Sequence, residues 1–306
     1  MTQLMEVGER MPLIWVTFHL GRTEWLAGRV RTAHRLFTEA LALSSTHENA
    51  MAAPVVRGYT AASAALCGDL GPAGAGSRPS AQDEPARRGF LCGEERLGDA
   101  WRAALGGRVA SARQILRGAV HSARETGHVT SAMLLLTDLA RLGAPREAHE
   151  QLAELLPRCD GALAPARVRF AAALATGEPV ELERCAEALA AVGARLQAAE
   201  AAAVASARWR EGGQHRRATA AAHTAQNNLL RCEGISTPLL TRSAAVTPLT
   251  DRETQIALMV TEGMRSHDIA ERLFLSKRTV TNHLQRAYRK LGVTSRGELR
   301  SQFGGV

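Results

Sequence analysis

The chain has 306 residues, 45% hydrophobic, 22% charged and only 4% aromatic, with a formal net charge of +8. That apolar fraction is enough to build buried cores, which excludes wholesale disorder, and the length favours two domains over one. Few aromatics beside long alanine-rich stretches argue for packed helices against sheets, because strands draw on β-branched and aromatic residues.

The first apolar run, 12–20, carries Thr17 and His19 and is too short to span a bilayer. It follows Glu6 and Glu9 without a small-residue cleavage site, so it reads as part of a folded domain and not as a leader. A cytoplasmic protein with no membrane partner is expected. The five cysteines are scattered and none sits in a C-x-x-C, and His121 with His128, or His215 with His223, miss the one-turn spacing of a ligand pair. Reduced structural thiols, no metal and no cofactor are expected.

Up to residue 246 the sequence repeats. Gly28, Ala33, Phe37 and Ala40 stand at offsets 0, 5, 9 and 12. The spacing recurs at Gly107, Ala112, Leu116 and Ala119, and at Gly213, Ala218, Ala222 and Ala225. Gly143, Ala148, Leu152 and Leu155 follow it with one substitution, and Gly177, Leu182, Ala186 and Leu189 more loosely. The last four of these glycines are 36, 34 and 36 residues apart. Such a period resembles tetratricopeptide repeats, in which glycine turns between antiparallel helices and the later offsets lie on one buried helix face. Stacked hairpins of this kind share one continuous core, and Trp15, Trp25, Trp101 and Trp209 are expected to fill it. Composition divides the region into repeats over 1–67, a Gly- and Pro-rich flexible insert over 68–98, and repeats over 99–234. No Gly-x-x-x-x-Gly-Lys occurs, and the first lysine of the chain is Lys277, so a P-loop ATPase and a phosphoryl receiver are disfavoured. With no G-x-S-x-G elbow or H-E-x-x-H either, the region reads as non-catalytic and the protein as no enzyme. A linker over 235–248, with two prolines and several Ser and Thr, ends the array.

The segment 249–306 carries the sharpest signals. Thr250 and Glu253 form a capping box, and Ile256, Met259 and Val260 continue an apolar stripe that Gly263 ends. Ser266 can cap a short second helix over 267–273 that buries Ile269, Ala270 and Leu273. Ser276 can cap a third, Lys277–Leu291, with Val280, Leu284, Ala287 and Leu291 inward. Ser295 can cap a fourth towards Phe303. Two short helices, a tight turn and a longer helix with a polar, basic outer face make a helix-turn-helix. On that face Thr281, Asn282 and Gln285 suit base edges in the major groove, while Lys277, Arg278, Thr279, Arg286 and Arg289 suit phosphates. Between Arg272 and Arg300 eight basic residues face the single acidic Glu298, which collects most of the excess positive charge in one place.

The order of these residues resembles the LuxR-type DNA-binding domain. Its Leu-Thr-x-Arg-Glu opening is Leu249, Thr250, Arg252 and Glu253; its Ile-Ala-x-x-Leu core is Ile269, Ala270 and Leu273. Ser276, Thr279 and Val280 match Ser-x-x-Thr-Val, followed by His283 and Leu284, Tyr-Arg-Lys-Leu-Gly at 288–292, and Ser295 with Arg296. The resemblance implies a helix-turn-helix over 266–285 that binds double-stranded promoter DNA as a homodimer. It also implies a dimer contact on the fourth helix, at Ser295, Leu299 and Phe303. One departure stands out. The family often has a lysine directly after Thr-Val and a second basic residue four positions on, where this chain has Thr281 and Gln285, which predicts weaker phosphate attraction and a different base preference. Further back, Arg195-Leu196 with Glu200, and Thr237-Pro238-Leu239, are similar to the helical region of large ATP-dependent LuxR-type regulators, without their ATPase module.

The expected architecture is all-α, a tetratricopeptide-like helical array followed by a four-helix LuxR-type domain. The expected function is sequence-specific transcriptional regulation, with the array receiving a protein or small-molecule effector. The alternative is a protein-interaction scaffold whose DNA-binding domain has degenerated.

Overall fold

The computed structural model of the chain describes the backbone of residues 2–45, 52–70, 91–243, 249–291, 293 and 295–303. Every regular element among the described residues is helical. In order they are α1 (Thr2–Leu26), α2 (Val30–Ser45), α3 (Ala53–Leu66), α4 (Leu97–Leu105), α5 (Val109–Glu125), α6 (Val129–Arg141), α7 (Pro145–Leu155) and α8 (Leu163–Thr176). There follow α9 (Pro179–Ala191), α10 (Arg195–Glu211), α11 (His215–Leu229), α12 (Pro238–Arg242), α13 (Asp251–Thr261), α14 (Ser266–Arg272), α15 (Lys277–Leu291) and α16 (Arg296–Phe303). No described helix is long and apolar enough to cross a membrane.

From α1 to α11 each helix packs on the next, while α6, α8 and α10 form one layer and α9 and α11 touch in the other. The chemistry of the repeat explains the geometry. Gly28, Gly107, Gly143, Gly177 and Gly213 all take a positive φ at the turn that opens the second helix of a hairpin, a backbone region that side chains rarely tolerate. The positions at offsets 5, 9 and 12 are buried in the first four of these hairpins. In the last, Ala222 is only half-buried and Ala221 takes the inward place beside Ala218 and Ala225. Trp101 is fully buried, Trp25 and Trp209 nearly so, and Trp15 half-buried.

Two segments differ from what their composition predicts. Residues 71–90 of the 68–98 stretch lie outside the described residues; from Leu91 the chain is packed, with a 3₁₀ turn Glu94–Arg96 leading into α4. Glu94 is the anchor. It is fully buried, and its carboxylate accepts from Tyr59 Oη (2.5 Å), Ser131 Oγ (2.7 Å) and Arg22 Nη2 (3.1 Å). A buried charge holds only where its oxygens find donors, and Glu94 finds three. The 235–248 stretch likewise contains α12. Thr237 caps it from a buried position and donates to Glu200 Oε1 (2.7 Å), while Ile235 and Leu240 join the array's core. Residues 244–248 lie outside the described residues.

The array closes on itself. Glu233, in the loop between α11 and α12, accepts from the backbone amides of Arg31 (2.8 Å) and Thr32 (3.0 Å) and from Thr32 Oγ1 (2.6 Å). A carboxylate there meets the free amides and positive end of α2. Gly28 makes the closure feasible, since a Cβ on it would stand 2.7 Å from Cys232 Sγ and 3.1 Å from the Leu196 amide nitrogen. The C-terminal domain is fastened beside this seam. Leu230 packs into its core, Gln226 Nε2 donates to the Lys290 carbonyl (2.7 Å), and Arg31 pairs with Asp251 (2.8 Å). Between Gln226, Leu230, Ile235, Leu249 and Thr254 remains a cavity of about 10 Å³, the size of one water.

Candidate nucleic-acid interface

The C-terminal domain is a small core with a basic exterior, and its local signals place each helix. Thr250 and Glu253 form the capping box of α13: the Thr250 amide donates to Glu253 Oε2 (2.8 Å) and the Glu253 amide to Thr250 Oγ1 (3.3 Å). Gly263 leaves the helix at a positive φ. Ser266 was the expected cap of α14, but it is instead the first helical residue. Arg265 occupies the cap position, its amide donating to Asp268 Oδ2 (3.2 Å). The Asp268 carboxylate reaches back to the Arg265 amide, and the cap falls one residue ahead of Ser266. Ser276 caps α15, accepting from the Thr279 amide (3.0 Å), and Ser295 caps α16, accepting from the Glu298 amide (3.1 Å).

α15 divides cleanly. Val280, Leu284, Ala287 and Leu291 are buried in the domain core. Lys277, Arg278, Thr281, Asn282, Gln285 and Arg286 are exposed on the opposite side, and Thr279 is half-buried at the helix start. The face assigned to base reading therefore stands together and open to solvent. No ion pair closes on Lys277, Arg278 or Arg286 among the described residues. Two hydroxyls are partly committed: Thr281 Oγ1 donates to the Lys277 carbonyl (3.0 Å), and Thr279 Oγ1 bonds Ser276 Oγ (2.8 Å). The Arg289 side chain lies outside the described residues.

The basic cluster counted along the sequence is not all surface. Lys290 is mostly buried and donates to Glu253 Oε2 (2.6 Å), bracing α15 against α13. Burial works to raise the Glu253 carboxyl, but Lys290 and the Thr250 amide outweigh it and hold it below the usual carboxylate value. Arg296 Nη2 donates to the Met264 carbonyl (2.8 Å), tying α16 to the turn before α14. Arg252 Nη2 donates to the Leu273 carbonyl (2.9 Å) and steadies the turn before α15. Lys290 and Arg296, counted in the basic segment but not among its expected phosphate contacts, brace the domain. The available signal was the pairing of Glu253, whose carboxylate is turned inward by the capping box, with a lysine on the inner half of α15.

α16 tells a similar story. Leu299, assigned to a dimer contact, is fully buried in the domain's own core, because α16 packs on α13. Ser295 is exposed and engaged as the cap, and the Phe303 side chain lies outside the described residues. At the turn before α15, Phe274 takes a positive φ and is 96% exposed.

Comparison with known proteins agrees with this geometry. Residues 247–301 match the family described as bacterial regulatory proteins, luxR family. A 51-residue segment is 49% identical to a protein of Mycobacterium bovis and to proteins from two strains of Mycobacterium tuberculosis, each named as a candidate HTH-type transcriptional regulator. The aligned segment is 17% of this chain and spans 6% of the length of those relatives. No solved structure matches the chain. The C-terminal domain is thus a luxR-family helix-turn-helix, the DNA-binding domain of a class of transcriptional regulators.

Proposed function

We propose, from the luxR-family helix-turn-helix at residues 247–301, that the chain is a sequence-specific transcriptional regulator whose helical array receives a signal. In this reading α15 enters the major groove, where Thr281, Asn282 and Gln285 meet base edges, the two amides suiting adenine. Lys277, Arg278, Thr279, Arg286 and Arg289 hold phosphates on either side and set the register. Two chains bind adjacent half-sites about one helical turn apart. With Leu299 committed to the core, their contact would use the side of α16 facing away from it. The array would receive a protein or small-molecule effector. The seam at Glu233, Arg31 and Asp251 supports a coupling of that event to the DNA-binding domain, since the closure of the array and the docking of the domain share residues.

One observation carries the reading: Lys277, Arg278, Thr281, Asn282, Gln285 and Arg286 of α15 stand exposed together, with no ion pair to an acid among the described residues, while its apolar side chains build the core. Selection of bound duplexes from random DNA by the full chain tests it. Enrichment of a defined site that is lost in Asn282→Ala/Gln285→Ala is the expected result. A chain that retains duplexes without sequence preference would refute base reading, and one that retains none would favour the scaffold alternative.

A further inference from the structure

We propose that the inner side of the array holds a binding site for a small acidic molecule, bearing a carboxylate or a phosphate, anchored by Arg167 of α8. The proposal deepens the sensing role argued above, and its regulatory meaning rests on that reading; the binding itself does not.

Arg167 is more than nine-tenths buried, and its Nε has no hydrogen-bond partner. No hydrogen bond or ion pair closes on its guanidinium among the described residues. Its electrostatic neighbours come from four other elements: Arg22 on α1, Tyr59 on α3, Glu94 in the 3₁₀ turn and Asp138 on α6. These belong to a buried ionic cluster in which acceptors are already spent. Asp138 accepts from Arg141 Nη1 (2.7 Å) at one oxygen and from Trp101 Nε1 (2.9 Å) at the other. Glu94 is filled by Arg22, Ser131 and Tyr59. Glu200, further along, holds Arg141 Nε (2.7 Å) and Thr237 Oγ1 (2.7 Å).

Arg141, which pairs with the same Asp138, shows what a finished site looks like. Arg141, equally buried, is bidentate to Glu200 and paired with Asp138 besides. Burial opposes its charge, the two acids outweigh that, and its pKa stands above the usual value. For Arg167 burial wins over the distant acids and the pKa falls below the usual value. A guanidinium whose buried Nε has no acceptor is incomplete. What completes it is a planar or tetrahedral oxyanion, which the guanidinium binds through two parallel bonds. The same cluster includes Arg22, whose side chain is partly exposed.

The experiment is a calorimetric titration and thermal melt of the full chain with sodium phosphate and with sodium succinate, each against sodium chloride at matched ionic strength. Saturable binding of one or both acids, with a raised Tm, is expected in the unaltered chain. Arg167→Gln should weaken it at least tenfold, and Arg167→Lys, which keeps the charge and loses the fork, should fall between. Binding of only phosphate or only succinate identifies the class of ligand. If Arg167→Gln fails to fold, protein labelled with 15N-arginine gives the same answer, as the Arg167 Nε–H resonance must move on titration. The proposal is overturned if neither acid binds beyond chloride, if that resonance is unmoved, or if Arg167→Gln titrates like the unaltered chain. A chain that binds acid at Arg167 yet selects no DNA sequence sinks the regulator reading and leaves this site standing.

Discussion

The array and the C-terminal domain use charge in opposite ways. In the array the strongest ionic groups point inward and satisfy one another: Arg141 with Asp138 and Glu200, Arg22 with Glu94. In the C-terminal domain one inward pair, Lys290 with Glu253, braces the fold, while Lys277, Arg278 and Arg286 point outward with no ion pair among the described residues. A paired, buried charge specifies how helices stack; an unpaired, exposed one is available to a polyanion. Sequence charge alone does not separate the two, since arginine fills both roles within one chain.

That contrast can be broken at several points. The largest effect should come from Glu200→Ala. It strands the buried guanidinium of Arg141 and removes the acceptor for Thr237, so the folded chain should lose about 3–5 kcal/mol in urea unfolding. A change below about 1 kcal/mol would mean that the cluster is not the array's ionic support. Next, Asn282→Ala and Gln285→Ala should each relax base preference by about 1–3 kcal/mol per lost contact. Their thermal stability should stay within about 0.5 kcal/mol, as befits exposed positions. Equal loss on all sequences would place these amides among the phosphate contacts instead.

Glu253→Gln should remove both the brace to Lys290 and part of the α13 cap, costing about 1–2 kcal/mol and lowering the melting temperature of the C-terminal domain. The pH dependence follows from the same group. Its folded pKa is lowered, so the contribution is complete above the unfolded value of 4.5 and is lost as pH falls through the folded value. Acid melts of the unaltered chain should therefore show a loss of stability in that window that Glu253→Gln lacks.

Arg278→Ala and Arg286→Ala come next. Each should weaken binding to all duplexes alike and reduce the salt slope of log K by about 0.9 per phosphate contact removed. A slope unchanged by both would show that their side of α15 does not face the backbone. The smallest effect belongs to Arg31→Ala. Its pair with Asp251 is half exposed, so stability should change by under about 1 kcal/mol. Because Arg31 also binds Glu233, hydrogen exchange should nevertheless show faster opening at the seam.

Much of this molecule was legible because its signals are local. Helical periodicity in Val280, Leu284, Ala287 and Leu291, the capping box of Thr250 and Glu253, the caps at Ser276 and Ser295, and the turn glycines each act within a turn or two of the chain. The bounds of α15 could be written down before any coordinates. The exposure of its polar face followed, since exposing one side of an amphipathic helix is the direct consequence of burying the other.

What only the tertiary structure decided lies at long separations. Lys290 meets Glu253 across 37 residues, Arg141 meets Glu200 across 59, and Thr32 meets Glu233 across 201. Such encounters depend on rotations accumulated over several stacked hairpins, which no window of sequence contains. The same geometry made Lys290 and Arg296, two of the basic segment's charges, into braces and put Leu299 into a core. It also ordered the stretch around Glu94 through a buried carboxylate. Local patterning is enough to say which side of each helix is apolar. Which charges then meet on the inward side is set by how the helices stack, because a buried ion is held only where the fold brings it a partner.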